Sequence, residues 1–357
     1  MKFWWILLFA GVCSIFAAQP SSAQTLAVGT CRPHLVSYPT ISEAIAAAPS
    51  GATVLVCPGD YPEQITISQP LTLRGLTLGL GVKPLISLPC AGLVGNFPAQ
   101  ISAQTPSYDS FGPVTISNLR VQGSASGENC STVRPNGIEF AFANGAIENV
   151  ELSHQDNGIL LFGGNFDPNF VNIQNSGIRD FDSVGVSADS NGGSGFLVNF
   201  TSNWVASSSK NVQAGVIYDM ATGDIMYNTI AVGGPIGLEL DNYFCCVTAG
   251  YNTVSGSGIG IYMGGSYFNA ATTVTHNSLY NNGTGVYIYQ SQGIDDVNWN
   301  TIFLSAAAGI DLDCSANATV RHNSIYQSPV GIGNVTPGDT LAKNGFYGVF
   351  NATTTCN

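Results

Sequence analysis

"THNSLYNNGTGVYI", residues 275–288, contains two phrases that recur along the chain. The first is an Asn followed by Thr or Ser and an aliphatic residue. It stands at Asn228, Asn252, Asn277, Asn300 and Asn323, with a variant at Asn203 and weaker members at Asn118, Asn149 and Asn175. From Asn203 onward the spacings are 25, 24, 25, 23 and 23 residues. The second phrase is Gly, an aliphatic residue, any residue, then another apolar one, and it begins at Gly137, Gly158, Gly215, Gly237, Gly285 and Gly309. Repetition at a nearly fixed period marks a stacked architecture, in which each unit buries its face against the next.

The segments between these phrases are short, alternate in polarity and lack three-four spacing, so they read as strands rather than helices. Two or three short strands per repeat make one turn of a parallel β-helix, with turns stacked at ~4.8 Å and like side chains in columns. Asn suits one corner, because it tolerates left-handed dihedrals and its amide can bond the Asn above and below. Gly in the second phrase permits another sharp corner. The Leu framework of leucine-rich repeats is absent. A solenoid needs capped ends, and "YPTISEAIAAAPSG" at 38–51 supplies a helical cap. Thr40 and Glu43 form a capping box there, and Pro49 with Gly51 stops the helix.

The ends and the composition set the compartment. Residues 1–23 have one Lys, an apolar run and small residues Ser21 and Ala23 before the cut, the shape of a secretory signal peptide. That run is too short for a comfortable membrane span, and no second one follows, so the expected protein is secreted or extracytoplasmic, with residues 24–357 as one domain. Cys13 falls in the signal and leaves eight Cys, an even number that favours disulfides in an exported chain. Cys31 with Cys57 would tie the start of the domain to its first strand, and Cys314 with Cys356 would pin the other end. Cys90, Cys130, Cys245 and Cys246 stay unassigned. Losing Lys2 leaves nine basic and 22 acidic residues, so the mature charge is 9 − 22 = −13. Nucleic acid is a poor partner for such a surface, and acidic polysaccharides are repelled unless a divalent cation bridges the two.

The stretch Tyr38–Gly75 resembles the opening segment of pectin-lyase-like right-handed β-helix proteins, pectin methylesterases included, and the later Asn-Thr-Ile and Gly-Ile-x-Leu phrases resemble their repeats, clearest over 114–335. The resemblance implies an all-β, single-stranded right-handed parallel β-helix, here of roughly ten to twelve turns. Enzymes of this kind place their catalysts on the outer face of one parallel sheet. Their signatures are missing. Only Asp156 in "QDNGIL" approaches the polygalacturonase-like pattern, the methylesterase segment is absent, and "FDPNF" at 166–170 keeps only Asp-Pro of the mannuronan epimerase motif.

Two columns remain. Four residues after a Gly of the second phrase stand Asp189, Asp219 and Asp241 in consecutive turns, and Asp313 later; Glu239 shares a face with Asp241. Asp219, Asp241 and Glu239 are the candidate acid–base residues, and Asp189, Asp313, Tyr262 and Tyr287 the candidate ligand contacts. Stacked carboxylates need water, backbone N–H groups, protons or a cation. No cofactor is required; calcium is the ion that Asp189, Asp219 and Asp241 could hold. Pectate lyases of the resembled fold pair an acidic calcium site with an Arg base, and no Arg aligns here. Asp at strand ends also makes turns, so the column has a purely structural reading.

The residue before each repeat Asn reads Tyr227, Tyr251, His276, Trp299 and His322. Val274, Val297 and Val320 lie two residues earlier in their turns, so alternation sends the rings inward or stacks them at a corner, against a sugar platform on the outside. Arg321 is expected to be solvated. The four His are scattered and form no metal set. Six sequons, at Asn129, Asn199, Asn282, Asn317, Asn334 and Asn351, fit a Thr- and Asn-rich surface. Segments 88–113 and 123–136 are long enough to roof a cleft. Two functions follow: recognition or processing of a polysaccharide or surface glycan by a hydrolase or lyase along the Gly-Ile-x-Leu sheet, or a non-catalytic adhesion or structural solenoid.

Overall fold

The computed structural model describes residues 24–77, 79, 81–94, 99–104, 111–124, 134–163, 169–190, 196–241, 246–264, 271–290, 295–314 and 317–356. Residues 1–23, Cys130 and Cys245, "FDPNF" in part and most of 123–136 lie outside the described residues, whereas the segment 88–113, expected to be able to roof a cleft, contributes the strand Ala99–Ala103 to the stack.

Each turn lays one short strand into each of three parallel sheets, of 14, 12 and 12 strands. The turn around Asn277 shows the plan: Thr272–Thr275 in sheet 1, Ser278–Tyr280 in sheet 2 and Thr284–Tyr289 in sheet 3. Twelve stacked strands are separated by 12 − 1 = 11 steps, so the solenoid makes about eleven turns. Alternation puts Val274, Leu279, Val286 and Ile288 of that turn inside, each fully buried. Register stacks like on like: Val274 on Val297 and Val320, Leu279 on Ile302 and Ile325. The core is therefore a set of aliphatic columns, continuous from Leu26 to Ile332.

The corner between sheets 1 and 2 differs from expectation in one residue. The left-handed dihedral is carried by the residue before the Asn: φ is 59° at Tyr227, 57° at Tyr251, 56° at His276, 57° at Trp299 and 56° at His322. Upstream the same place is held by Asn118, Asn149 and Asn175, which belong to this column and not to the buried one. One left-handed residue breaks strand alternation, so the following Asn turns inward. Asn203, Asn228, Asn252, Asn277, Asn300 and Asn323 are all nearly inaccessible. From Asn228 to Asn323 each accepts, on its Oδ1, the backbone N–H and an Nδ2 proton of the Asn one turn before, as from Asn252 to Asn277 at 2.9 and 3.0 Å; Asn203 accepts the Ser176 N–H at 2.9 Å.

The N-terminal end also departs from expectation. The helix covers only Ile41–Ala47, with Thr40 accepting the Glu43 N–H at 3.2 Å as its N-cap. Ala48 returns to extended backbone, so the helical cap expected over 38–51 does not form. Strands Thr25–Val28 and Ser37–Tyr38 extend sheet 1 at this end instead. Disulfides join Cys31 to Cys57 and Cys314 to Cys356, with Cα separations of 5.7 and 5.5 Å. Cys90 and Cys246 are disulfide-bonded as well. No helix among the described residues is long and apolar enough to cross a membrane.

Candidate functional site

Sheet 3 is built from the Gly-aliphatic-x-apolar phrase. Its glycines are required by close approach, not by positive φ: a Cβ on Gly215 would lie 2.6 Å from the Gly237 carbonyl oxygen, and one on Gly237 2.7 Å from that of Gly260. After the Gly, the aliphatic and apolar positions face the core, while the x position and the residue two further on face out.

Two outward columns result. The first runs Glu139, Leu160, Ser187, Ile217, Glu239, Tyr262, Tyr287 and Asp311, one residue per turn. The second pairs Asp219 with Asp241, then Gly264 and Tyr289. Strands Ala214–Asp219, Ile236–Asp241, Ile259–Gly264 and Thr284–Tyr289 thus bring Asp219, Glu239 and Asp241 together, with Tyr262 and Tyr287 beside them. Asp189 ends the preceding strand and adds its charge to the group.

The electrostatics agree with that grouping. Burial, and then the charges of Asp189 and Asp241, push the Asp219 carboxyl above its ordinary range. Burial followed by Asp241 and Asp219 does the same to Glu239, and burial alone to Asp241. The Tyr262 hydroxyl is pushed up to about 12, by burial first and then by Asp241 and Glu239. The Tyr287 hydroxyl is also held protonated, by burial and by its hydrogen bond to Asp313. Tyr262 and Tyr287 stack with centroids 5.8 Å apart, and Tyr289 lies 6.5 Å from Tyr287. Closely spaced carboxyls whose ionisation is mutually opposed can divide acid and base duties between them.

Asp313 is not in the Asp219–Asp241 column. The strand Ala308–Asp311 ends two residues short of it, and Asp313 has φ 45° in the following turn, from where it reaches Tyr287. Asp311, Tyr289 and Glu139, which the sequence reading passed over, face out on the same sheet. Carrying the x and plus-four positions through every turn would have found them. Among the described residues no three His, Cys, Asp or Glu side chains converge as a metal-binding group. Asp189, Asp219 and Asp241 form a row along one face.

The second column is overturned as an inward feature. Tyr227, Tyr251 and Trp299 are 59%, 48% and 52% exposed, and with His276 and His322 they form a ladder outside the sheet 1–sheet 2 corner. Successive centroids are 5.1, 4.8, 6.1 and 4.3 Å apart, with planes within 17° of parallel. Stacked in this way, the rings occupy one another's faces and leave mainly edges to solvent, whereas a sugar stacks on an open face. "RHNSIYQ" at 321–327 is therefore a corner. Arg321 is exposed, as expected, and also forks onto Asp296 at 3.2 and 2.6 Å. Trp299→Ala is expected to cost about 1 kcal/mol of stability through lost stacking and to leave glycan retention unchanged. Weakened retention in gel electrophoresis would return the ladder to the binding surface.

Comparison with known proteins agrees with this architecture. Residues 257–353 match the family described as "Right handed beta helix region". That match, with the three parallel sheets, supports a right-handed β-helix fold. No curated protein matches it by sequence. Among solved structures it is similar to the A-module of the Azotobacter vinelandii mannuronan C-5 epimerase AlgE6, at 18% identity and TM-score 0.63 over 89% of this chain and 93% of that one. The AlgE4 A-module of the same organism is similar at 16% identity and TM-score 0.63, over 86% and 91% of the two chains. The catalytic domain of a GH87 α-1,3-glucanase is similar at 10% identity and TM-score 0.62, over 94% of this chain and 67% of that one. At these identities the likeness is one of fold.

Proposed function

We propose that the protein is exported and binds or processes a carbohydrate chain along the outer face of sheet 3, at Asp219, Glu239, Asp241, Tyr262 and Tyr287. The observation that carries this reading is the grouping itself. Three carboxyls with raised proton affinity lie beside stacked tyrosines on one rigid sheet. Carboxyls of this kind serve glycosyl chemistry, and tyrosine rings with protonated hydroxyls suit sugar faces and sugar hydroxyls. The similar structures, named as epimerases and a glucanase, are carbohydrate-active. Export is supported by the disulfides and by the form of the first residues.

The test is retention on a panel of glycans in affinity gel electrophoresis, with the mature protein in calcium and in chelator. At least one glycan is expected to retard the protein, and Asp219→Asn to weaken that retardation. Loss in chelator would give the carboxylate row a calcium. Retardation by no glycan would favour the alternative, a non-catalytic solenoid whose Asp residues make turns.

A further inference from the structure

The strands of sheet 3 carry six carboxylates, Glu139, Asp189, Asp219, Glu239, Asp241 and Asp311, and not one Lys, Arg or His. Every basic residue after Lys2 is among the described residues, so the accounting is complete. Arg74 and Arg321 are on sheet 1, Arg120 and Arg179 on sheet 2, and the rest in connections. Lys83 and Arg120 already share Glu151, Arg134 pairs with Asp182 and Arg321 with Asp296. A polyuronate brings one negative charge per sugar. Laid on this face it would set carboxylate against carboxylate in a half-dehydrated setting with no cation between them, which is repulsive.

The reaction chemistry points the same way. Elimination or epimerisation at a uronate needs its carboxylate neutralised and a base to take the adjacent carbon-bound proton. The strands of this face offer no Lys, Arg or His for the first task, and Tyr262, pushed up to about 12, stays protonated and is a poor base for the second. Hydrolysis of a neutral glycoside needs one protonated and one ionised carboxyl, which this group can supply.

We infer that the site takes an uncharged glycan, rejects polyuronates and hydrolyses the glycosidic bond; the inference rests on the carbohydrate reading above. Glu239 gives its proton to the bridging oxygen as that oxygen leaves the anomeric carbon. Water supplies the hydroxyl that the carbon gains, and its remaining proton goes to the Asp219–Asp241 carboxylates. Atoms and charge balance with water as the only co-reactant.

Carboxyl-reduced polymers provide the test, because reduction turns each uronate into its neutral sugar without changing the linkage. Alginate and polygalacturonate, native and carboxyl-reduced, would be compared with neutral glucans, mannans and galactans, in calcium and in chelator. Retention and new reducing ends would be measured. Neutral and reduced polymers are expected to be retained at least about tenfold more tightly than native ones, with reducing ends released and no unsaturated uronate formed. In the double variant Asp219→Asn with Asp241→Asn, retention of native polyuronate should rise, which a structural role for these residues would not produce. Preferred retention of native polyuronate, with or without calcium, or an unsaturated product, would overturn the inference and leave the carbohydrate reading standing. Retention of neutral polymers with no new ends would overturn the hydrolytic part. Retention of nothing would remove both.

Discussion

Glu239→Gln is expected to cut cleavage of a susceptible glycan by about 10²–10⁴-fold while the glycan is still bound. The Gln keeps the size and polarity of the side chain on strand Ile236–Asp241, and loses only the proton that the reaction uses. Burial first, then Asp241 and Asp219, raise the Glu239 carboxyl above its ordinary range. A general acid works in its protonated form, so the wild-type rate should hold above the ordinary carboxylate range and fall as pH rises through the raised value. Stability carries the matching sign. Between the ordinary and the raised values the native state binds more protons than the unfolded one, so stability is fully present below that window and declines as pH rises through it. Glu239→Gln and Asp219→Asn should therefore melt later than wild type at neutral pH, and the gain should vanish in acid. Melting curves at the two pH values, read beside reducing-end assays, decide the matter. A variant that loses activity and also melts earlier at neutral pH would make Glu239 part of the scaffold.

Stability gained where activity is lost is the pattern of a functional site, since carboxyls selected only for folding would not be crowded in this way. The same crowding explains what could be read from sequence. Period and polarity made the solenoid legible, because every turn repeats the burial problem of its neighbours. Counting from each Gly also placed Asp219, Glu239 and Asp241 on one face. The count failed at Asp313, where the strand stops at Asp311 and the chain turns away; strand length depends on hydrogen bonding that composition does not encode. It failed again at the corners. Alternation predicts inward rings at Tyr251 or Trp299 only if the backbone stays extended, and a single left-handed residue sends the ring out and the next Asn in. Such a conformation at a Tyr or Trp is disfavoured locally. It is held by the Asn ladder that follows it, a long-range cause.

That ladder sets the largest expected loss of stability. Asn277 is 1% exposed and sits midway in the row. Its Oδ1 accepts from Asn252 N–H at 2.9 Å and Asn252 Nδ2 at 3.0 Å, and its Nδ2 donates to the Ala249 carbonyl at 2.9 Å and to Asn300 Oδ1 at 2.9 Å. Asn277→Ala would leave the Asn252 N–H and one Asn252 amide proton buried without partners, and would take from the Ala249 carbonyl its side-chain donor. Each such group costs about 1–3 kcal/mol, and with partial relaxation about 3–5 kcal/mol in all. Asn344, at the C-terminal end of the row, makes the same kinds of bond but is only half-buried: it accepts from Asn323 at 3.0 and 3.1 Å and donates to the Val320 carbonyl at 2.8 Å. Water can reach those groups, so Asn344→Ala should cost about 1 kcal/mol. Denaturant unfolding of the two variants gives the comparison. Equal losses at the two positions would mean that burial of the ladder is not what makes its bonds matter, and the corners would have to be held by the aliphatic columns alone.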